Sequence, residues 1–162
     1  METALLRPGT PHDAPAVAAV WHRGWHDGHA GHVPDGLTAA RTLPAFEERT
    51  AAAVEVTTVA DVDGEVAGFV MVIGDEVEQV FVDREHRGTG LAGLLLAEAE
   101  RQVASAGHDV AWLAVVAGNA RARRFYERCG WADEGDLPYE VMAAGETYIS
   151  SCRRYTKRVS VG

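Results

Sequence analysis

The amino-acid sequence predicts one α/β (α+β) domain, in which about four helices flank a mixed, mostly antiparallel central sheet of about seven strands. Three observations carry this prediction. Hydrophobic residues recur with a period near two in some segments and near 3.6 in others, which are the spacings of strands and helices. Residue pairs typical of tight turns separate the two-period segments. The 162 residues contain no internal repeat and no long linker, so the single domain is expected to cover residues 1–162.

The first third of the chain is predicted to form one strand and two helices. Residues 4–7 form the strand. Thr10 and Asp13 mark a helix start, because a capping hydroxyl followed by an acid three residues later is typical of helix N-termini. This helix should end near Trp25, where glycines and a proline predict a loop. The second helix is expected to cover residues 37 to about 52.

The rest of the chain alternates between strand and helix patterns. From Val54 the period is two, and turn residues at 63–64 and 74–75 divide this segment into three strands. Residues 89–106 return to helical spacing. The residues expected on the buried face of that helix are Leu91, Leu94, Leu95 and Val103. The remaining predicted elements are a buried strand at 110–116, a helix at 119–128 closed by Gly130, and strands near 139–143 and 147–155.

Composition excludes several classes of protein. The formal net charge of −9 argues against a nucleic-acid-binding protein, because neutralising phosphates requires a basic face. No apolar run is long enough to span a membrane, so neither nucleic acid nor a membrane is an expected partner. The first residues lack the features of a secretory signal, and Cys129 and Cys152 form neither a metal-type pair nor a disulfide framework. We therefore expect a cytoplasmic protein, with homodimerisation left open.

Local basic clusters stand out against this acidic background. One cluster consists of Arg84 and Arg87. The second consists of Arg121, Arg123, Arg124 and Arg128. Such clusters on an acidic protein suit a small anionic ligand, although a solvated helix surface explains either cluster equally well when it is taken alone.

A glycine-rich loop lies between a predicted strand and a predicted helix in the segment VFVDREHRGTGLAG, residues 80–93. Free N–H groups and the positive end of the helix dipole make such a helix start suitable for binding phosphate. The substring GTGLAG also fits the dinucleotide fingerprint G-x-G-x-x-G. However, the polar residues 84–87 separate the strand from the first glycine, and Asp109 begins the next strand instead of ending it. The absence of a G-K-[ST] tail excludes a nucleoside-triphosphate loop.

A second motif accounts for the same loop better. The segment RGTGLA, residues 87–92, matches R-x-x-G-x-[GA]. Downstream, AWLAVVAGNARARRFYERCGW, residues 111–131, contains a strand, the pattern N-x-x-A-x-x-[FL]-Y and a closing G-[FW]. With both motifs in this order, the chain resembles the GCN5-related N-acetyltransferase (GNAT) family over residues 65–131. Arg84 stands where many members of that family have proline, but this position shapes a turn and performs no chemistry.

The resemblance implies a GNAT-like fold and an acetyl-CoA-dependent N-acetyltransferase that uses no metal. The acetyl group would move to a primary amine of a small molecule or peptide by direct attack in a ternary complex. This chemistry requires an anchored donor, a deprotonated amine, a hydrogen-bond donor to the developing oxyanion and a proton for the leaving thiolate. The residues that the resemblance implies for cofactor binding are Val80, Phe81, Val82, Arg87, Gly88, Thr89, Gly90, Leu91, Ala92, Asn119 and Tyr126.

The resemblance also implies the catalytic residues. Tyr126 is the expected general acid for the thiolate, and it shares one helix face with Asn119. An aromatic side chain that only packs against the sheet is the alternative. Glu78 and Glu76 are the candidate general bases, because they lie on the strand where some family members place a glutamate. Their alternation should direct both carboxylates to one sheet face, although exposed strand carboxylates fit the pattern as well.

The segment WHRGWHDGHAGH, residues 21–32, contains four of the seven histidines of the chain. In the GNAT family this region lines the acceptor pocket, so the predicted substrate-binding residues are Trp25, His26 and His29, with either histidine as an alternative base. A solvated loop and a zinc site are the other interpretations. Zinc needs three or four ligands on a rigid frame, and the glycines of this segment and the lack of a nearby cysteine argue against it.

Three classes of function remain open on the sequence alone. The first is an acetyl-CoA-dependent N-acetyltransferase. The second is a non-catalytic acyl-CoA-binding module, which would keep the glycine loop but need no proton donor, so Tyr126 argues against it. The third is a metal-binding or structural role, which only the histidines support. The acidic charge of the chain favours a cationic amine as the acceptor, because electrostatic attraction steers it.

Overall fold

The computed structural model describes residues 4–160, which form a seven-stranded sheet with helices on both faces. The strands are β1 (Ala4–Pro8), β2 (Thr57–Val62), β3 (Glu65–Ile73), β4 (Glu76–Val82), β5 (Val110–Val116), β6 (Ala132–Ala143) and β7 (Glu146–Arg158). The α-helices are α1 (Ala14–His29), α2 (Asp35–Ala40), α3 (Leu43–Ala53), α4 (Leu91–Ser105) and α5 (Ala120–Arg128). Within these residues, no helix combines the length and the apolar character that crossing a bilayer requires.

The strands are ordered β1-β2-β3-β4-β5-β7-β6 across the sheet. Neighbouring strands run antiparallel except β4 and β5, which run parallel and pair at a single position, Glu76 beside Trp112. The hairpins that join β2, β3 and β4 turn where the sequence predicts. In the first hairpin, Asp63 and Gly64 both have positive φ angles, as the favoured two-residue turns require. The predicted mixed, mostly antiparallel sheet of seven strands is therefore confirmed for the described residues.

Each face of the sheet has its own hydrophobic core. Helices α1, α2 and α3 cover one face, where Trp21 and Phe46 belong to the same buried cluster as Phe69 of β3. Helices α4 and α5 pack on the other face, where Leu95 belongs to a cluster with Val70 of the same strand. Because successive strand residues point to opposite faces, two adjacent residues of β3 supply both cores.

Helix α1 is longer than the sequence predicts. Its expected end near Trp25 is wrong, because the helix continues for about one more turn and contains Gly24 and Gly28. Both glycines are buried at close contacts with other elements. A Cβ on Gly24 would overlap the Phe81 ring of β4, and a Cβ on Gly28 would lie 2.6 Å from the Nδ2 atom of Asn119. The glycines therefore allow α1 to approach β4 and the start of α5, instead of making the segment flexible.

The predicted helix over residues 37–52 is two helices, so five α-helices flank the sheet within the described residues instead of four. The second of them, α3, begins after Thr42, whose Oγ1 accepts a hydrogen bond from the Ala45 N–H at 3.3 Å. Pro44 lies in the first turn of α3, where it lacks the N–H that a continuous helix would need. The break leaves Arg41 between the two helices, with only 7% of its surface exposed.

The predicted helix start at Thr10 is present as a single 3-10 turn, residues 11–13, that leads into α1, and a charged network fixes it. Asp13 Oδ2 accepts hydrogen bonds from the Thr10 N–H at 2.8 Å and from the Thr10 hydroxyl at 3.1 Å. Arg7 of β1 donates to the same carboxylate at 2.8 Å. These contacts, with the Arg7 hydrogen bond as the largest, lower the pKa of Asp13 to about 2. The first strand is thereby tied to the first helix.

Two further sequence predictions differ from the structure. Strand β6 begins at Ala132, well before the predicted start near residue 139, because its first half is acidic and lacks the apolar alternation of a half-buried strand. In α4, Leu94 is 54% exposed, and Leu96 is buried in its place.

Replacing Gly24 by alanine is expected to destabilise the fold by about 1–3 kcal/mol, because the added methyl group would overpack against a constrained ring. Phe81 itself packs near Phe69, with 5.8 Å between the ring centroids. Chemical denaturation measures the change in the free energy of unfolding. Gly93→Ala is the matched control, because Gly93 lies inside α4 and an added Cβ meets no described atom within 4 Å. That control should be at least as stable as the wild type, whereas an equally stable Gly24→Ala variant would contradict the close packing.

Candidate active site

A cleft of about 670 Å³ opens where β4 and β5 separate. Beyond the pairing of Glu76 with Trp112, the two strands share no further ladder position among the described residues, so the edge of β4 that faces β5 is free. Residues 76–82 and 113–116 line the cleft together with side chains from the helices on both faces. An unpaired strand edge of this kind can bind an extended ligand as an added strand.

The glycine-rich loop lies against one part of this cleft. Gly88 and Gly90 have φ angles of 80° and 85°, which favour glycine, and α4 begins immediately afterwards. An added Cβ at either position would meet no described atom within 4 Å, so the backbone is open for a ligand to approach. The unpaired N–H groups in the first turn of α4 and the helix dipole make this end of the cleft electropositive. It can therefore bind a phosphate group.

Two arginines beside the loop are paired with a carboxylate of α1. Asp27 accepts hydrogen bonds from Arg84 Nε and from Arg87 Nη2, both at 2.9 Å. These hydrogen bonds, Arg84 first, hold the pKa of Asp27 well below its usual range. Arg121 of α5 also lines the cleft, and it forms no ion pair with any residue from 4 to 160. Burial, and next the charge of Arg87, lowers the pKa of Arg121. Arg84, Arg87 and Arg121 carry three positive charges, and Asp27 carries one negative charge. This end of the cleft is therefore positively charged.

Tyr126 lines the cleft from α5 and packs near Tyr155, with 6.1 Å between the ring centroids. Burial, and to a smaller degree the neighbouring Cys129, raises the pKa of Tyr126 to about 12, so the phenol carries its proton at neutral pH. Asn119 also lines the cleft, and its side chain has a structural task as well. Its Oδ1 accepts a hydrogen bond from the Ala122 N–H at 3.2 Å and caps α5.

Glu76 and Glu78 both line the cleft, and a bulge in β4 separates their surroundings. The register between β3 and β4 shifts there and leaves Glu78 without a partner on β3. Tyr139 donates a hydrogen bond from its hydroxyl to Glu76 Oε2 at 3.3 Å. Burial, and next the charge of Glu78, raises the pKa of Glu76. A carboxylate with a raised proton affinity can accept a proton from a ligand in the cleft.

Trp25 and His29 line the cleft, whereas His26 does not. His29 donates from Nδ1 to the Trp25 carbonyl at 2.9 Å, and the two rings stack at 4.5 Å. Burial, together with the charge of Arg41, lowers the pKa of His29 to about 4, so this imidazole is neutral with Nε2 unprotonated. His26 donates from Nε2 to the Arg41 carbonyl at 2.6 Å, which ties α1 to the break between α2 and α3.

The other histidines of residues 21–32, His22 and His32, do not line the cleft. The His22 ring contacts the His26 ring at 4.8 Å, and His32 packs over Gly118, just before α5. Within the described part of the chain, no three or more His, Cys, Asp or Glu side chains form a group that could hold a metal ion. That the protein works without a metal stays a prediction, which metal analysis of protein purified without an affinity tag would check.

Sequence reasoning missed two arginines on the side of the cleft formed by α1, α2 and α3. Arg41 and Arg49 both line the cleft, and the Arg49 guanidinium lies 4.3 Å from the centre of the Trp21 ring. Arg41 Nε and Arg49 Nη1 are buried without a hydrogen-bond partner among the described residues. Nothing in the sequence distinguishes these residues from ordinary surface arginines, because their burial depends on the break between α2 and α3.

Most of the predicted cofactor-binding residues line the cleft. They are Val80, Phe81, Val82, Arg87, Gly88, Gly90, Ala92, Asn119 and Tyr126. Thr89 and Leu91 do not line it. The Thr89 hydroxyl donates to the His86 carbonyl, and Leu91 is 4% exposed in the core beneath α4. The cleft residues that sequence reasoning did not assign include Arg41, Arg49 and Tyr139, and Arg121 was named only as part of a basic cluster.

Comparison with known sequences identifies one family. The sequence model of the acetyltransferase (GNAT) family matches residues 22–131. A search of curated proteins finds no significant match to the chain.

Solved structures share the fold over nearly the whole chain. A GCN5-related N-acetyltransferase from Rhodopseudomonas palustris is 23% identical, with a TM-score of 0.76 and coverage of 98% of this chain and 97% of that one. PaiA N-acetyltransferase from Thermoplasma acidophilum, in complex with coenzyme A, is 17% identical, with a TM-score of 0.70 and coverage of 96% and 99%. YncA from Salmonella typhimurium, with its cofactor acetyl-CoA, is 18% identical, with a TM-score of 0.65 and coverage of 99% and 96%. Since the family match covers more than half of its residues, the chain belongs to the acetyltransferase (GNAT) family.

Proposed function

We propose that this chain transfers the acetyl group of acetyl-CoA to a primary amine of a small molecule or peptide, by direct attack of the amine in a ternary complex. Membership of the family makes the chain an acetyltransferase with acetyl-CoA as its acyl donor. The observation that carries the proposal is the cleft between β4 and β5. It combines a phosphate-binding helix start, a protonated phenol and a carboxylate of raised pKa. A cytoplasmic location and homodimerisation stay predictions.

The loop end of the cleft fits the diphosphate of coenzyme A. The N–H groups in the first turn of α4 and the open backbone at Gly88 and Gly90 would bind the phosphates, with Arg87 and Arg121 supplying positive charge. The free edge of β4 at residues 80–82 supports binding of the extended pantetheine arm. A backbone N–H of that edge would also stabilise the negative charge that develops on the thioester oxygen.

The transfer needs two proton movements, and residues of this chain suit both. When the amine forms the new C–N bond and the C–S bond breaks, nitrogen must lose one proton and sulfur must gain one. Glu76 takes the proton from nitrogen, and Tyr126 gives a proton to the thiolate sulfur. Exchange with solvent then restores both side chains. A pKa of about 12 keeps Tyr126 protonated until the thiolate appears, and the raised pKa of Glu76 makes it a better base than an ordinary carboxylate.

We assign the base to Glu76 and not to Glu78. The hydrogen bond from Tyr139 orients the Glu76 carboxylate, and burial strengthens its proton affinity. Glu78 acts electrostatically on two neighbours, because its charge raises the pKa of Glu76 and opposes the lowering of the pKa of Arg49. Its place in the cleft is therefore explained without a proton transfer.

Acetyl-CoA is expected to raise the melting temperature of the protein and NAD is not, because the loop follows the acyl-CoA motif and not the dinucleotide motif. A panel of primary amines with acetyl-CoA and a thiol-detecting dye should then show release of coenzyme A. Stabilisation by NAD without stabilisation by acetyl-CoA would contradict the proposed function. Binding of acetyl-CoA with no thiol release from any amine would favour a non-catalytic acyl-CoA-binding module.

Tyr126→Phe is expected to lower the turnover number by roughly ten- to a thousandfold while coenzyme A affinity is kept, because it removes the proton donor and almost no volume. Turnover at saturating acetyl-CoA and a binding isotherm for coenzyme A measure the two effects separately. Tyr148→Phe is the matched control, because Tyr148 does not line the cleft. Full turnover in Tyr126→Phe would show that this ring only packs, and a loss of binding would show that it holds the cofactor.

The turnover number of the wild type is expected to rise with pH through the raised pKa of Glu76, because only the ionised carboxylate accepts a proton. Glu76→Gln should remove this inflection and lower turnover by roughly a hundredfold. Glu78→Gln should keep the inflection and move it to lower pH, because the charge of Glu78 helps to raise the pKa of Glu76. The pH–rate profiles of the three proteins decide the assignment. An inflection that disappears in Glu78→Gln and survives in Glu76→Gln would reverse it.

A further inference from the structure

Arg41 and Arg49, like Arg121 at the loop end of the cleft, form no ion pair with a described carboxylate. The arginines that do form such pairs are Arg7, Arg23, Arg84, Arg87, Arg101, Arg123 and Arg153. Arg41 is only 7% exposed, and both residues border the cleft. Both guanidinium groups thus border the cleft without an ion pair, although the charge of Glu78 acts on Arg49 from across the cleft.

This arrangement is costly unless something else stabilises it. Burying a charge without a partner is strongly unfavourable, and placing two like charges together adds to the cost. Burial lowers the pKa of both residues, and the charge of Arg41 helps to bring the pKa of Arg49 to about 10. Even so, Arg49 stays charged at neutral pH. The side of the cleft formed by α1, α2 and α3 would therefore be stabilised by a negatively charged ligand.

The two guanidinium groups are held in place by contacts that involve no anion. The Arg41 carbonyl accepts a hydrogen bond from His26 at 2.6 Å, and its side chain lies 6.0 Å from the centre of the Trp25 ring. Arg49 stacks over the Trp21 ring at 4.3 Å and lies 5.3 Å from the Phe46 ring centre. Groups oriented before a ligand arrives lose little conformational entropy when it binds.

The unpartnered guanidinium groups indicate which anion fits. Neither donates a hydrogen bond to a described residue, and each buries one nitrogen, Arg41 Nε and Arg49 Nη1, without an acceptor. A carboxylate offers two oxygens and satisfies one donor with each. The cleft also contains Glu76 and Glu78, which favour a positively charged group. One wall therefore attracts a carboxylate while the other attracts an ammonium group.

We propose that the acetyl acceptor is a small amino acid or a close analogue, whose carboxylate binds Arg41 and Arg49 while its amine faces Glu76. This inference rests on the proposed function, because it names the acceptor class of the same site. The carboxylate fixes the position of the amine relative to the thioester, so an acceptor without it would bind more weakly and react more slowly.

The first test needs no mutation. A panel of α-amino acids with small, apolar, aromatic, acidic and basic side chains is assayed for thiol release from acetyl-CoA, each beside its carboxamide and its decarboxylated amine. At least one acid should exceed its own amide and amine in kcat/KM by about ten- to a hundredfold, because the neutral analogues leave charged donors unpaired. Amides or plain amines that react as well as the acids would overturn the inference and leave the proposed function standing.

A second measurement keeps the inference testable whatever the turnover. Calorimetry measures binding of the same panel to the wild type saturated with coenzyme A. The acids should bind more tightly than their amides, and Arg41→Gln and Arg49→Gln should remove this preference. Arg101→Gln is the control, because it makes the same charge change at a side chain that pairs with Glu98 outside the cleft. Equal binding of acids and amides to the wild type, or a preference that survives in both cleft variants, would overturn the inference. Tight binding of acids without acetylation would count against the proposed function alone.

Discussion

The single parallel contact between β4 and β5 is the constraint on which the rest of this structure depends. Two hydrogen bonds pin it, because Trp112 donates from its backbone N–H and from its indole Nε1 to Asp75, each at 3.0 Å. From that point the strands diverge and do not pair again among the described residues. Continued pairing would fill the cleft with a hydrogen-bond ladder, and neither the edge of β4 nor Tyr126 could then reach a ligand. The candidate site exists because the sheet stops pairing there.

Helix α1 connects the two ends of this opening. Gly24 brings the helix against β4, Asp27 binds the arginines of the phosphate loop, and His26 holds the backbone of Arg41. These three contacts lie within one turn of helix, and they explain why glycine, acid and histidine alternate so closely in residues 21–32. The segment contacts both ends of the cleft, and its histidines make different structural contacts from one another.

Sequence reasoning succeeded where the information is local. The two-residue turns, the strand periodicity and the loop before α4 depend on neighbours in the chain, and all of these elements are present. It failed where a distant partner decides the outcome. Glycine at position 28 predicts a helix end, and only its close contact with Asn119 explains why the helix continues through it. The burial of Arg41 likewise follows from the break between α2 and α3. The bulge at Glu78 follows from the pairing of β4 with β3. Neither feature changes the hydrophobic periodicity of the sequence, so neither could be predicted from it.

The division of the hydrophobic residues into two cores determines how far the effect of an amino-acid substitution spreads through the structure. Helices α1, α2 and α3 pack into one core, on the side of the cleft that contains Trp25, His29, Arg49 and the break at Arg41, while α4 and α5, which carry the glycine-loop helix start and Tyr126, pack into the other. The sheet separates the two cores. Substitutions that reshape the wall formed by α1, α2 and α3 repack one core and leave the packing beneath α4 and α5 intact. If the proposed sites are correct, the chain can therefore acquire a new acceptor by mutation without rebuilding the part of the cleft that binds coenzyme A.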